Sequence, residues 1–470
     1  MELTGNLGKI GTDNLSFTHL TAINLQGCIS LTTRSIHHLL MCSPFLQTIC
    51  LKGLSVVTNT TCTIISTYCP RVVSLNMDRC LNMDADGIRG LASTALSRGE
   101  LLRLRELRLS GLKNIDDSMM RVLSKAAPFL EVLDLCYARQ LHNSAIEAFV
   151  ACDSGDAASG DRETKTVLVS LRDLGREPND GTKLRRRLTR LRHLSLSYCI
   201  LLTDETCSNL AHSVPDLEFL EMAGIGADLG DDGLIRLLKT TPRIRRLDFE
   251  DATEITDDLL AALTPPPPSD TSMPETYPGH ALEHLIISYA TRLTDGALLT
   301  LIRGCIRLKH LAVDNTRIGS AVMNEFVQLC RQRKTVDAKA MMVDCRGVSD
   351  AVVKELSPST RPRMGWRAHG ARKLYYLDAR DGNEDELKAG QDECDEMRVV
   401  VKSFYSWQTV DVVRGVREKR RKSGSSGVSN SDERSGRGMR WWSPGSARTR
   451  SGSSSPLNMA DSNNDGCIVV

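Results

Sequence analysis

Aromatic residues are scarce in this sequence, and a long apolar run is missing altogether. Phe, Trp and Tyr make up 4% of the 470 residues, so a hydrophobic core has to be built from Leu, Ile, Val, Ala and Cys. No stretch approaches the roughly 18 consecutive apolar residues of a membrane-spanning helix. The opening residues, MELTGNLGKIGTDNL, lack the basic start and apolar segment of a signal peptide. These absences predict a cytoplasmic or nuclear protein whose fifteen cysteines are reduced thiols.

The sequence also lacks a large excess of charge of one sign, and it lacks the common catalytic motifs. The formal net charge of +2 does not have the strong basicity of nucleic-acid binders, and we expect no nucleic-acid partner. There is no Walker loop, no Gly-x-Ser-x-Gly, no His-Glu-x-x-His and no Cys-x-x-Cys pair. The pair Gly224-x-Gly226 is followed by Asp231 and Asp232, which would repel a phosphate. The sequence therefore predicts a protein that is not an enzyme and that has no cofactor and no metal.

A repeated phrase occupies most of the sequence. LQGCISLTTRSIHHLLMCSP at 25–44 and LSYCILLTDETCSNLAHSVP at 196–215 are two copies of it. Apolar residues fall at offsets 0, 3, 5, 8 and 11 of each copy, five of the spacings between copies are 26 residues and one is 27, and an irregular copy begins near Asp337. A period of this length is the signature of a stacked array. The regular copies begin at Leu20, Leu46, Val72, Leu104, Leu130, Leu191, Leu217, Ile244, Leu282 and Leu308.

Each copy predicts one strand followed by one helix. Offsets 3 and 5 share one face of an extended segment, as in a short strand. Pairs such as Thr203-Asp204 and Thr256-Asp257 suit a helix start, because the hydroxyl accepts a free backbone N–H group and the carboxylate favours the positive end. One strand and one helix cannot bury their apolar faces alone, so we predict about eleven stacked units over residues 1–357. Small buried cysteines are expected at offset 8, at Cys28, Cys80, Cys199 and Cys345.

The repeated pattern L-x-x-L-x-L-x-x-C-x-x-L-T-D resembles the cysteine-containing leucine-rich repeat. That repeat is typical of F-box/leucine-rich-repeat proteins, in the ribonuclease-inhibitor-like superfamily, and of the related antagonist-of-mitotic-exit proteins. The resemblance implies an α/β fold: a right-handed solenoid, or horseshoe, with a parallel sheet on the concave side and helices outside. It also implies that a protein is recognised on the concave side. The F-box itself is not present in this chain, so either an upstream segment carries it or the adaptor-binding module has been lost.

Two insertions and a tail interrupt or follow the array. Residues 153–187 are polar and rich in Gly and Asp, which predicts a mobile surface loop, and the proline-rich 264–280 predicts an extended linker. Residues 358–413 are expected to be partly ordered, with MRVVVKSFYSWQTVDVV adding a strand or hairpin to the last unit. Residues 414–470 predict a disordered basic tail. Its end, Cys467-Ile468-Val469-Val470, fits a C-a-a-X box and makes Cys467 a candidate for prenylation.

Strand residues that point away from the core, at offsets 2, 4, 6 and 7, are expected to line the concave face. In the middle of the array they become acidic and aromatic, a composition suited to a peptide rich in Lys or Arg. The alternative is an ordinary hydrophilic strand surface, which every solenoid must display somewhere. The candidate binding residues are Tyr137, Tyr198, Phe219, Glu221, Arg246, Asp248, Glu250, Asp251, His284 and Tyr289.

Two functions follow from these expectations. The first is the substrate-recognition part of an SCF-type ubiquitin ligase, with a Skp-type adaptor and a cullin as partners only if an upstream F-box exists. The second is a stand-alone scaffold or inhibitor without ligase activity, similar to the mitotic-exit antagonists. Either version is compatible with a prenylated Cys467 and contact with a membrane surface.

Overall fold

The computed structural model describes residues 17–152, 165–176, 183–266, 277–361, 397–403 and 468–469. Within these ranges strands and helices alternate in the order that the repeats predict, and the prediction of a leucine-rich-repeat solenoid is confirmed. The repeat strands are β1 (Ala22–Asn24), β2 (Thr48–Cys50), β3 (Ser74–Asn76), β4 (Glu106–Arg108), β5 (Val132–Asp134), β8 (His193–Ser195), β9 (Phe219–Glu221), β10 (Arg246–Asp248), β11 (His284–Ile286), β12 (His310–Ala312) and β13 (Lys339–Met342). The strands β6 and β7 belong to an insertion.

One helix follows each repeat strand. The helices are α1 (Thr33–Met41), α2 (Asn59–Tyr68), α3 (Ala85–Ser97), α4 (Asp117–Ala126), α5 (Asn143–Val150), α6 (Asp204–Leu210), α7 (Asp231–Leu238), α8 (Asp257–Leu263), α9 (Asp295–Gly304), α10 (Ser320–Gln332) and α11 (Asp350–Glu355). Across the described part of the chain, no helix is long and apolar enough to cross a membrane.

The core is a stack of equivalent residues. The central residue of each repeat strand lies in register with its neighbours in the parallel sheet and points inward. These residues are 0–1% exposed, from Ile23, Ile49, Leu75, Leu107 and Leu133 to Leu194, Leu220, Leu247, Leu285, Leu311 and Ala340. Each strand is only three or four residues long and cannot form a core alone. The buried column therefore stabilises each unit through its contacts with the units on either side.

Hydrogen bonds from side chains connect successive helix starts. Thr256 is the N-cap of α8, and its hydroxyl accepts from the backbone N–H of Asp258. Asp257, the first helical residue, accepts from the backbone N–H of Thr294 at 2.9 Å and from its hydroxyl at 2.7 Å. Asp231 accepts from Thr256 in the same way, at 3.0 Å from the backbone nitrogen. The Thr-Asp pair therefore caps its own helix and binds the preceding or following unit.

The cysteines at offset 8 also bridge units. Cys80 Sγ donates to the Leu51 carbonyl at 3.3 Å, and Cys199 Sγ donates to the Leu135 carbonyl at 3.1 Å. Burial raises the pKa of the Cys199 thiol to about 12. Twelve cysteines in the described residues are free thiols, but Cys28 is disulfide-bonded, so the expectation of a reduced thiol is wrong at that residue.

The insertion at 153–187, whose composition predicts a mobile surface loop, has ordered structure in its described residues, 165–176 and 183–187. It contains the antiparallel hairpin β6 (Thr166–Ser170) and β7 (Lys183–Arg187), with a short 3-10 helix at Arg172–Leu174. One buried and one half-buried arginine explain why polar residues are ordered here. Arg186 is 2% exposed and donates to Glu147 at 3.0 Å, and Arg176 binds the same carboxylate with two 2.8 Å hydrogen bonds. Glu147 on α5 therefore fastens the hairpin to the helical side of the array.

The expected extra strand of the C-terminal extension is confirmed. β15 (Val399–Ser403) pairs in parallel with β13, and β14 (Thr360–Arg361) pairs with the other side of β15. A short strand, β16 (Ile468–Val469), pairs antiparallel with β1 and completes a sheet of 14 strands. Cys467 and most of the predicted tail and proline-rich linker lie outside the described residues, so those expectations stay predictions.

Candidate protein-binding face

The concave face is defined by residues at offsets 2, 4, 6 and 7, and offset 7 has an unusual backbone. Every described repeat has a positive φ there, between 55° and 81°. Glycine adopts this left-handed conformation without cost, whereas a bulky side chain is an outlier. Three repeats nevertheless place tyrosine at this position, with φ of 60° at Tyr137, 62° at Tyr198 and 68° at Tyr289. Since the turn does not need these rings, we infer that they are present for what they contact.

Two of the three tyrosines form a stacked pair. The rings of Tyr137 and Tyr198 are 4.6 Å apart at an angle of 8°, and both side chains are exposed. Gly224 makes room for this pair, because a Cβ at that position would lie 2.5 Å from Tyr198 Cδ1. Tyr289 lies three repeats beyond Tyr198 and does not join the stack. The sequence placed the rings in one column, and the structure brings only two of them together.

Glu221 is at the centre of an internal network. Its carboxylate accepts from the Ser195 hydroxyl at 2.9 Å and lies 3.6 Å from His193 Nε2 and 3.3 Å from Arg246 Nε. Neither nitrogen meets hydrogen-bond geometry, so Arg246 acts as an ion-pair partner and His193 does so only when its ring is protonated. The His193 contact, then Ser195 and Arg246, lower the pKa of Glu221 to about 2 against the opposing effect of burial. Glu221 is therefore satisfied within the protein and is a poor direct ligand for a partner.

Phe219 stands beside this network on the same strand. Its ring is 5.6 Å from that of His193, at 49°, and the Arg245 guanidinium carbon lies 6.0 Å from the ring centroid. The exposed edge of Phe219 is thus bordered by cations and histidine. The acidic groups of the concave face lie at later positions along the strands.

A carboxylate edge, formed by Asp248, Glu250, Asp251 and Asp314, follows one side of the concave face. Burial, and then the neighbouring carboxylates, raise the pKa of Glu250. Burial likewise raises the pKa of Asp248, although Arg246 lies 3.5 Å away and opposes the shift. Among the described residues, neither Glu250 nor Asp251 forms an ion pair with a cation. Both carboxylates would be stabilised by a cationic ligand, which would reduce their mutual repulsion.

A basic edge, formed by Arg246, His284, His310 and Lys339, follows the opposite side. These residues are paired in register across β10 to β13. The rings of His284 and His310 are 4.2 Å apart. Burial, and then His310, lower the pKa of His284 to about 4, so this ring is neutral at pH 7. In the sequence, Arg246 and His284 group with the acidic residues. They lie at offset 2, four residues before the carboxylates at offset 6, which corresponds to roughly 13 Å along an extended strand.

Sequence reasoning missed a ladder of ion pairs just before the strands. Charges of alternating sign occupy offset 1, and this alternation is the sequence signal that could have identified the ladder. Glu218 lies 2.5 Å from Arg192 and 3.6 Å from Arg245. Glu283 then lies 2.6 Å from Arg245 and 2.7 Å from Lys309. Exposed pairs of this kind contribute little singly, but the ladder fixes the spacing of the units that carry the acidic and basic edges.

In the ranges that the structure describes, no three His, Cys, Asp or Glu side chains are grouped as metal ligands.

Comparisons with known proteins find similarity to solved structures. The chain is similar to a chain in the crystal structure of the Rad7 and Elc1 complex in yeast, with 17% identity, a TM-score of 0.45, and coverage of 72% of this chain and 79% of that chain. It is also similar to a chain in the structure of the TLR13–ssRNA13 complex, with 16% identity, a TM-score of 0.33, and coverage of 62% and 34%. No protein-family model and no curated protein matches the sequence. The class is that of leucine-rich-repeat solenoids, a fold that typically serves as a non-catalytic binding scaffold.

Proposed function

We propose that this protein is a binding scaffold that holds a basic segment of another protein across β8 to β11. The observation that carries the proposal is the carboxylate edge next to exposed aromatic rings on one sheet face. Glu250 and Asp251 have no cationic partner in the described structure. Tyr289 lies in the repeat after that of Asp251, and Tyr198 lies two repeats before it. Arginine satisfies both features, since its guanidinium pairs with carboxylates and stacks on rings.

The stacked pair supplies an anchoring surface for such a segment. Tyr137 and Tyr198 are already parallel, so a guanidinium group or an apolar side chain can lie on the outer ring with little loss of rotamer freedom. The basic edge contributes selectivity, because it repels a partner that is basic along its whole width. The favoured ligand is therefore a segment with cations on one side and neutral or acidic residues on the other.

Peptide binding tests this proposal. Fluorescence anisotropy of the full chain with an Arg-containing peptide, a Glu-containing counterpart and a neutral counterpart should rank the Arg peptide first. Replacing Glu250→Gln together with Asp251→Asn should weaken that binding by about tenfold, or about 1.4 kcal/mol. The matched control, Asp232→Asn with Asp258→Asn, removes two exposed charges from the helical side and should leave affinity within about twofold. Equal losses in both double variants would contradict the proposed site.

We further propose that the partner is a substrate for ubiquitylation and that the array is the recognition part of an SCF-type ligase. This step rests on the resemblance of the repeats to F-box/leucine-rich-repeat proteins. The test is co-purification of a Skp-type adaptor and a cullin with the natural full-length protein. Peptide binding without adaptor binding would favour the stand-alone scaffold or inhibitor instead.

A further inference from the structure

One row of the concave face changes from polar to apolar in the last repeats. At offset 4, the outward-facing position between offsets 2 and 6, the repeat strands from β1 to β10 carry a polar residue, a charged residue or a cysteine. The strands β11 to β13 carry Ile286, Ala312 and Met341 there, and all three side chains are half-buried. We call these three residues the apolar strip. Contiguous apolar surface that interrupts a polar face is typical of a protein-binding site.

The apolar strip is continuous across its strands. Ile286 pairs with Ala312, and Ala312 pairs with Met341, in the parallel register of the sheet. Paired residues of neighbouring strands are about 4.8 Å apart and point to the same face. A partner side chain that spans two strands can therefore contact two residues of the strip at once. Covering the strip removes apolar surface from water, which favours binding.

Two half-buried lysines flank the end of the apolar strip. Lys339 precedes Met341 by two residues on the same face of β13, and Lys402 of β15 pairs with Met341. Burial, and then the charge of Lys402, lower the pKa of Lys339. Asp314 attracts Lys339, but neither lysine forms an ion pair with a carboxylate of the described residues. A carboxylate supplied by a partner would reduce the repulsion between the two ammonium groups.

The apolar strip and the two lysines together define the chemistry of a ligand. An apolar side chain suits the strip, and an adjacent Asp or Glu suits Lys339 and Lys402. The carboxylate edge sets the spacing, because Glu250 follows β10 and the lysines begin on β13, three strand intervals away. Three intervals are about 14 Å, and the step from offset 6 to offset 4 adds about 7 Å along the strands, which gives a separation of roughly 16 Å. An extended peptide of about five residues spans this distance.

We propose that the apolar strip, together with Lys339 and Lys402, binds an apolar residue and an adjacent Asp or Glu of the partner segment. These two partner residues lie about five positions from the basic residue that the carboxylate edge holds. The inference rests on the proposed function for the position of that basic residue, whereas Ala312, Met341 and both lysines lie outside β8 to β11. The partner segment is thus defined by a cation, an apolar group and a carboxylate, in this order across the sheet.

The test uses fluorescence anisotropy with labelled peptides and the full chain. The reference peptide carries Arg, three Ser or Gly residues, Leu and Asp, and the tighter-binding of its two chain directions is used. Its counterparts replace Leu by Gln, replace Asp by Asn, or shorten the spacer to one residue. The strip variant is Ile286→Gln with Met341→Gln. The control variant is Val73→Gln with Val132→Gln, which changes half-buried valines next to β3 and in β5.

We expect the reference peptide to bind about tenfold more tightly than the Gln and short-spacer counterparts, and about threefold more tightly than the Asn counterpart. The strip variant should lose the preference for Leu over Gln, while the control variant keeps it within about twofold. The comparison of peptides on the unmodified chain needs no variant, so it decides the matter even if the strip variant does not fold.

No preference for Leu in the unmodified chain would overturn the inference, as would an unchanged preference in a folded strip variant. If affinity nevertheless falls in the Glu250→Gln, Asp251→Asn variant, the proposed function stands without the apolar strip. A preference for Leu that depends on the strip, with no loss of affinity in the Glu250→Gln, Asp251→Asn variant, would contradict the proposed function and keep the strip as a binding site.

Discussion

The strands β1 to β3 and the strands β8 to β11 share one core and expose different chemistry. Their central residues form a single buried column, but the first set presents small neutral side chains such as Asn24, Thr48 and Asn76. The second set presents the carboxylate edge, the basic edge and two tyrosines. At offset 7 the contrast is sharpest, because Gly27 and Gly53 occupy the left-handed position that Tyr198 and Tyr289 occupy later. Residues that recur in every unit therefore build the fold, and residues that do not recur distinguish one face from another.

The largest expected effect tests whether the two regions truly share a core. Leu75→Ala in β3 and Leu247→Ala in β10 each empty a position that is 0% exposed. Each should lower the free energy of unfolding by about 2–5 kcal/mol, because both leave a cavity in the same column. Denaturant unfolding measures both. A loss below about 1 kcal/mol for one variant alone would show that the two regions are not packed alike.

The Glu221 network should give the next effect, and it has no counterpart in β1 to β3. Glu221→Gln keeps a partner for Ser195 but loses the ion pairs, and should cost about 1–3 kcal/mol at pH 7. The folded pKa of Glu221, about 2, lies below its unfolded value. This stabilisation is therefore complete above the unfolded pKa of about 4.3 and is lost as the pH falls towards 2. The difference between the two proteins should shrink over that interval in unfolding curves, and a constant difference would contradict the network.

A smaller effect is expected for the hydrogen bonds that connect successive helix starts in the later repeats. Asp257→Ala removes the acceptor of the Thr294 backbone N–H and hydroxyl and should cost about 1–2 kcal/mol. Asp258→Ala on the same helix changes an exposed carboxylate and should cost under about 0.5 kcal/mol. Thermal unfolding of the two variants compares them directly. Equal losses would mean that the aspartate acts through the helix dipole alone.

The smallest effect on stability is expected when the offset-7 residues are exchanged between the two regions. Tyr289→Gly relieves a left-handed tyrosine and should leave stability unchanged or raise it by up to about 1 kcal/mol, while Gly53→Tyr should lower it by about 1 kcal/mol. Peptide affinity should fall only for Tyr289→Gly. A tyrosine that proves essential for stability and irrelevant for binding would remove the argument that backbone strain marks the binding surface.

The repeat made the architecture predictable from sequence, and the insertions did not follow from it. Offsets 3 and 5 predict the strands because burial recurs with the period, whereas the run MRVVVKSFYSW predicts β15 because it is β-branched and aromatic. The hairpin was missed because its order depends on Glu147, which is distant in sequence from Arg176 and Arg186. From composition alone, those arginines are expected to be exposed to solvent.

The candidate site could be proposed from sequence as a set of residues and not as a geometry. Offsets place Glu250, Asp251 and the tyrosines on one expected face, but they do not say which charges are already paired. Glu221 is paired with groups of the two adjacent strands, whereas Glu250 is not. The division into acidic and basic edges follows from strand register, which becomes visible only when the repeats are stacked.

The most direct test of the central claim is photo-crosslinking of an Arg-containing peptide that carries a benzophenone at one end. Mass spectrometry of the full chain then locates the modified residues. We predict crosslinks within β8 to β11 and their offset-7 tyrosines, which are lost in the Glu250→Gln, Asp251→Asn variant. Crosslinks on β1 to β3 or on the outer helices, unchanged in that variant, would contradict the account.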